Sequence, residues 1–390
     1  MSTPTIADIF RYGFKEYVEQ YGPQPLEVLK AVDAITCCRT DIMGGHRYQC
    51  DRCGCEMTLY NSCRNRNCPQ CQGNARMVWV HDRLSELLPV GYFHAVFTVP
   101  DLLSPFALRN RKPFFKIMFR ATKETLLTLS GDKRLLGAAT GFIAVLHTWG
   151  QQLIEHPHIH VIIPGGGLTS KGKWKTSRKK FLFPVAVVRK MFQGKLMDYF
   201  VQAVKNGDIQ LHGQLQRYKN RFLFSKLKDE LYRKKWVVYI KEPFASPQAV
   251  VKYLGQYTHR IAISNHRIIS FKNGMVTFSW KDYADNYKRK TMTLGCVEFI
   301  RRFLLHVVPK GFVRIRHYGF LANRNRKTKL AQCRIFFRKS PPVKKTENRT
   351  SWIEAFKVLH GYDPRRCKEC NEGIMEIVMV ITPVRRVMTT

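Results

Sequence analysis

Acidic residues are scarce in this 390-residue chain. Asp and Glu number 28 against 66 Lys and Arg, a formal charge of +38 with a pI near 10.0. So large an excess points to a polyanionic partner, nucleic acid ahead of a membrane surface. Long apolar runs are absent as well. No stretch approaches the roughly 18 apolar residues of a spanning helix, and the N-terminus shows no basic-then-apolar leader pattern. The expected compartment is a reducing cytoplasm. A phosphate-cradling loop is also missing: Gly165-Gly166-Gly167 lacks the Lys-Ser/Thr of a P-loop and reads as a strand exit.

Cysteine is plentiful, and in a reducing compartment twelve cysteines favour metal binding over disulfides. Cys50-x2-Cys53 and Cys68-x2-Cys71 are two knuckles at the spacing of a four-cysteine zinc site, and Pro69 suits the second turn. Cys63, Cys55 and His46 are surplus; Cys63 either replaces a knuckle cysteine or joins a second site. Adjacent Cys37 and Cys38 have no ligand spacing and read as core cysteines. Cys367-x2-Cys370 is half a site, with His360 or Cys333 as candidate completions. Arg64 and Arg66, between the knuckles, are placed to meet phosphates.

His156-Pro157-His158-Ile159-His160-Val161-Ile162-Ile163-Pro164 reads as a strand. Alternation puts His158 and His160 on one face, with Ile159, Val161 and Ile163 on the other. Two imidazoles side by side are a candidate metal site. Downstream, Ser246 is a helix N-cap and Pro247 a first helical residue. Val251, Leu254, Ile261 and Ala262 then form an apolar stripe, while Tyr253, Gln256, Tyr257 and Arg260 share another face. Two phenols therefore stand one turn apart. Gly255, costing about 1 kcal/mol in a helix interior, marks a close approach.

A His-hydrophobic-His strand followed by a Tyr-x3-Tyr helix resembles the HUH nucleases with two tyrosines. More narrowly, Ser62–Cys71, His156–Gly167, Tyr253–Arg267 and His317–Arg324 resemble, in order, the rolling-circle transposases of the insertion-sequence ninety-one family. The resemblance implies an α+β fold: a ferredoxin-like (RRM-like) HUH palm with an antiparallel sheet, a zinc-binding module before it, and helical and basic additions. The pattern agrees, since strand Phe93–Val99, a helix from Pro105, strand Gly141–Trp149 and the His158 strand open a split βαβ arrangement. Expected domains are a helical segment (1–45), a zinc-binding DNA-recognition module (46–82), the nuclease (83–290), a helical basic extension (291–340) and a C-terminal tail with CxxC (341–390). Within the nuclease, a basic insert at about 168–235 carries Lys171, Lys173, Lys175, Arg178, Lys179 and Lys180. Interleaved Trp174, Phe181, Phe183 and Phe192 are candidates for stacking on bases.

The implied chemistry is cleavage and transfer of single-stranded DNA. His158 and His160 would hold Mg2+ or Mn2+, with Gln256 the first candidate for a third ligand and His156 the second; Glu155, Gln152 and His147 lie close in sequence. Tyr253 and Tyr257 would be the nucleophiles, forming 5′-phosphotyrosine links, and Arg260 a phosphate contact. Structural Zn2+ completes the cofactors. The partners would be element ends and target DNA, with host replication proteins besides and no membrane, in a prokaryotic cytoplasm at the nucleoid. Oligomeric state is left open. A replication initiator or relaxase would use the same chemistry; a zinc-dependent DNA-binding regulator without catalysis is the alternative from another class.

Overall fold

The computed structural model describes residues 3–384 apart from 179, 245, 247–248, 251–252, 254, 256–260, 284 and 339–350. α1 (Ile6–Tyr21) starts at Thr5, whose hydroxyl accepts from the Asp8 amide while Asp8 accepts from the Thr5 amide. Its stripe of Ile6, Ile9, Phe10 and Tyr17 is buried, as the periodicity predicts. It packs on chain far downstream. The rings of Phe10 and Phe303 meet edge to face at 5.3 Å, and Gly13 leaves room for Cys296. α2 (Leu26–Cys37), β1 (Gly45–Cys50), β2 (Glu56–Tyr60) and α3 (Gln72–Leu84) follow.

The chain then runs β3 (Tyr92–Thr98), α4 (Ser104–Arg109), α5 (Arg111–Gly131), β4 (Phe142–Trp149) and β5 (Glu155–Pro164). A short hairpin, β6 (Gly166–Leu168) and β7 (Trp174–Thr176), leads to α6 (Val185–Lys205), α7 (Arg221–Arg233) and β8 (Val237–Lys241). A meander of β9 (Ile268–Lys272), β10 (Met275–Asp282) and β11 (Lys288–Gly295) precedes the helix Cys296–Leu304, and β12 (Ile315–Tyr318) comes after it. The β9–β10 turn is at Asn273-Gly274, with φ of 49° and 71°, the paired positive values of a tight hairpin.

β12, β4, β5, β3 and β8 form one five-stranded sheet in that order, antiparallel at every seam. One face is apolar. Phe93, Ala95, Phe97, Phe142, Ala144, Leu146, Ile159, Val161 and Ile163 pack there with Phe115, Met118 and Phe119 of α5 and Phe192, Leu196 and Phe200 of α6. Each large apolar side chain so buried contributes about 1.5–3 kcal/mol, and this is the main core. α6 therefore makes part of the expected basic insert a core element. Trp174, Phe183 and Phe192 are 8%, 2% and 0% exposed and fill cores instead of facing solvent, whereas Phe181 is 43% exposed.

β13 (Met375–Ile381) returns to the start of the chain. It pairs antiparallel with β1, from Gly45 opposite Ile381 to Cys50 opposite Met375, giving a sheet in the order β13-β1-β2. Among the described residues no helix is long and apolar enough to cross a membrane.

Candidate active site

The face of the central sheet opposite the apolar core carries histidines. His147 on β4 lies directly across from His158 on β5, and His160 is one same-face step further along. The ligand-capable ring atoms of His147, His158 and His160 lie within 4.8 Å of one another. A carbonyl fixes the first ring: His158 Nδ1 is 2.6 Å from the His156 oxygen. Donating there leaves Nε2 with a lone pair for a cation. His160 Nδ1 is 2.9 Å from His94 Nε2 on β3, and the tautomer in which His160 Nδ1 donates leaves its Nε2 free for a cation. Burial pushes both His158 and His94 down to about 4. They are therefore neutral at physiological pH, the form that ligates.

The expected third ligands fall differently. Gln256 lies outside the described residues. The His156 ring is not part of the cluster; its carbonyl orients His158 instead. Glu155 is also outside it, and burial pushes its carboxyl up to about 8. His147 is the third imidazole that the cross-strand register brings in. His94 went unread in the sequence, since only the pairing of β3 with β5 puts it beside His160.

The tyrosine helix begins as predicted: the Ala249 amide donates to Ser246 Oγ at 3.1 Å, and Ala249, Val250, Tyr253 and Gly255 are helical. The Tyr253 ring meets His94 edge to face at 5.2 Å and Phe244 at 5.1 Å. Tyr253 is thus one imidazole away from the histidine cluster. Tyr257 and Arg260 lie outside the described residues. Gly255 faces α3, where a Cβ would overlap Val80 Cγ2, so the close approach is made by the cysteine module.

The two knuckles do not meet. Cys68 and Cys71 gather with Cys63 and with Cys38, which the sequence suggested was core. Sγ–Sγ separations are 3.1 Å for Cys38–Cys71 and 3.3 Å for Cys63–Cys71, far beyond a disulfide's roughly 2.05 Å. Thiol–thiol hydrogen bonds within the cluster lower Cys71 and raise Cys63 and Cys68. Cys50 and Cys53 gather instead with Cys367 and Cys370.

Beside the first cluster runs a cleft of about 830 Å³ whose lining includes Arg39, Arg64, Arg66, Arg314, Cys71 and Trp352, with no carboxylate among the described residues. Arg64 is exposed there. Arg66 donates to the Phe312 carbonyl at 2.8 Å and is half-buried, so it braces the wall. Burial and the nearby Arg66 lower Arg314 to about 10, still charged at neutral pH. Lys180 is away from the residues lining this cleft and pairs with Glu242 at 3.4 Å, and Lys179 lies outside the described residues. A second cleft shares Gly311–Val313 and Ile315 and adds Lys112, Lys116 and Arg316. β12, along their edge, pairs with β4, the strand that carries His147.

A cysteine-bound module with an arginine cleft, joined to a sheet that presents histidines to a tyrosine, belongs to a DNA-processing protein, and the comparisons give the class as transposase. Residues 141–329 match a family described as "Putative transposase" and residues 9–99 one described as "Transposase zinc-binding domain". The chain belongs to the transposases of the insertion-sequence ninety-one family. It is 42% identical over 385 residues to "Putative transposase y4qJ" of Sinorhizobium fredii, covering 98% of this chain and 97% of that one. It is 28% identical over 311 residues to "Transposase for insertion sequence element IS801" of Pseudomonas savastanoi pv. phaseolicola, covering 79% and 73%. No solved structure matches.

Proposed function

We propose that the protein cuts and rejoins single-stranded DNA as an HUH-type, two-tyrosine nuclease and so drives rolling-circle movement of an insertion sequence. The observation that carries this reading is the cluster of His147, His158 and His160, with Tyr253 packed on the histidine that bonds His160. The element order of the central sheet supports it. Strand, helix, strand, strand, helix, strand with order β4-β5-β3-β8 is the connectivity of a ferredoxin-like palm.

Three imidazoles whose ligand-capable nitrogens lie within 4.8 Å of one another fit a divalent cation. Imidazole suits Mn2+ better than Mg2+, which prefers oxygen donors. When bound, the cation supplies charge stabilisation at the phosphate oxygens. His147, His158 and His160 would hold it, with His94 accepting from His160 Nδ1, and the sheet fixes the strands that carry all four. Tyr253 Oη forms the bond to phosphorus while the P–O3′ bond breaks. The phenol proton leaves to a base, and the 3′ oxygen takes up a proton to become a hydroxyl. The product is a 5′-phosphotyrosine, which conserves the phosphodiester energy for rejoining. Tyr257, the second tyrosine of the Tyr-x3-Tyr pattern, attacks a second strand while the first stays linked. The arginine cleft tracks the DNA backbone.

The test is incubation with a single-stranded oligonucleotide from the element's end and Mn2+ or Mg2+. A nick, and an adduct that peptide mass spectrometry maps to Tyr253 or Tyr257, support the reading. An adduct on a tyrosine outside this helix, or cleavage without any adduct, overturns it. Binding should also weaken steeply with salt, each phosphate contact on a single strand contributing about 0.7 to the log–log slope.

A further inference from the structure

Cys367 and Cys370 lie outside the matched zinc-binding region, residues 9–99. We propose that Cys50, Cys53, Cys367 and Cys370 form a second four-thiolate zinc site that clamps the C-terminal segment onto the N-terminal module and thereby holds one wall of the arginine cleft.

The four sulfurs lie within 4.8 Å of one another. Cys50–Cys370 and Cys53–Cys367 are each 3.7 Å apart. A tetrahedron with Zn–S arms of about 2.3 Å has edges of about 3.8 Å, whereas a disulfide would need about 2.05 Å. The two halves are built alike. The amides of Arg52 and Cys53 point at Cys50 Sγ from 3.4 and 3.5 Å, and the Gly373 amide at Cys370 Sγ from 3.3 Å. The residue after each second cysteine takes a left-handed turn, Gly54 at φ 71° and Asn371 at φ 55°. Amides aimed at sulfur stabilise thiolate and hold it in place for metal. Cys55 Sγ, half-buried and 3.3 Å from Cys367, is a fifth thiol beside the set of four.

The seam needs such a clamp. Along β13, Ile377, Val378, Met379 and Val380 are 54%, 52%, 50% and 66% exposed. The apolar cluster at the knuckles is small, with Cys50, Cys367 and Met375 its buried members. Backbone pairing, the Ile374 amide on Asp51 at 2.8 Å and the exposed Arg52–Glu372 ion pair remain. An exposed ion pair adds little, and a lone added strand with no core is marginal. A metal joining residues 320 positions apart replaces the missing core. The same C-terminal segment packs the helix Trp352–His360 against α3 and puts Trp352 into the cleft.

The full-length protein, purified under reducing conditions, should hold two zinc ions per chain by elemental analysis. Cys367→Ser with Cys370→Ser should hold one, and Co2+ loading should give half the thiolate charge-transfer absorption. Cys370→His, which keeps a ligand, should retain two. Amide exchange of β1 and β13 should rise about tenfold or more in the Ser variant, with β3–β5 unchanged as proof that the body is folded. If the Ser variant proves insoluble, stepwise chelation of the wild type reads the same exchange. One zinc in the wild type, two in the Ser variant, or zinc loss without faster exchange of β13 would each overturn the proposal. None of these readouts depends on cleavage, so the nuclease reading stands or falls separately.

Discussion

The two faces of the central sheet come from alternate residues of the same strands, yet they do opposite work. On β5, Ile159, Val161 and Ile163 are 0% exposed in the main core, and their burial holds the molecule together. His158 and His160, between and beside them, are turned to the other side and gather with His147. Burying imidazoles gains far less than burying isoleucine, since each ring nitrogen must find a partner. A chain optimised for stability alone would put apolar residues on both faces. On the proposed function the histidine face is where stability is given up for chemistry, and substitutions on the two faces should separate into two kinds.

The largest effect should come from the two proposed nucleophiles, Tyr253 and Tyr257. Tyr253→Phe with Tyr257→Phe keeps both rings and should form no covalent adduct at all, while each single variant still nicks an oligonucleotide. Full transposition should fail in both singles, since two linked strands need two hydroxyls. If the double variant still yields adduct on denaturing gels, the nucleophile lies elsewhere. Next comes His158→Ala with His160→Ala. Cleavage should fall on the order of 10²–10³-fold or more, with DNA affinity and melting temperature nearly unchanged. His94→Ala should cost less, and raised metal should rescue part of it, because His94 acts through His160.

The apolar face should behave in reverse. Ile159→Ala should lower unfolding free energy by about 2–5 kcal/mol in a denaturant titration, while cleavage per folded molecule stays near normal. Equal damage to cleavage and stability from both Ile159 and His158 variants would erase the distinction between the faces.

Much of this division was legible. Period-two alternation separated His158 and His160 from Ile159, and Ser246 marked the helix start that the structure bears out. Asn-Gly is a dipeptide that favours a tight hairpin, and Asn273-Gly274 forms one. What stayed hidden is what only register and long-range closure decide. His94 reaches His160 because β3 flanks β5, and His147, named in the sequence only as close by, takes the third place because β4 does. The CxxC spacing reports a local turn and says nothing of which turn faces which. Hence Cys68 and Cys71 pair with Cys38 and Cys63, and Cys50 and Cys53 with Cys367 and Cys370. Aromatics at 174, 183 and 192 could not be told from base-stacking ones until β7 and α6 were placed against their cores.

The smallest effect tests how the histidine face is covered. Gly255 in the tyrosine helix lies against Val80 of α3, itself 7% exposed. In a free helix Gly→Ala would stabilise by about 1 kcal/mol. Here the added methyl would overlap Val80 Cγ2, and either α3 or the tyrosine helix must give. Gly255→Ala should therefore gain no stability and lose about tenfold in cleavage, because a shift of an ångström at the nucleophile is costly. Adding Val80→Ala opens the space and should restore cleavage toward wild type. If Gly255→Ala cleaves normally, the two helices are not packed this closely. If the Val80→Ala rescue fails, the glycine makes room for something other than α3, with the DNA backbone the next candidate.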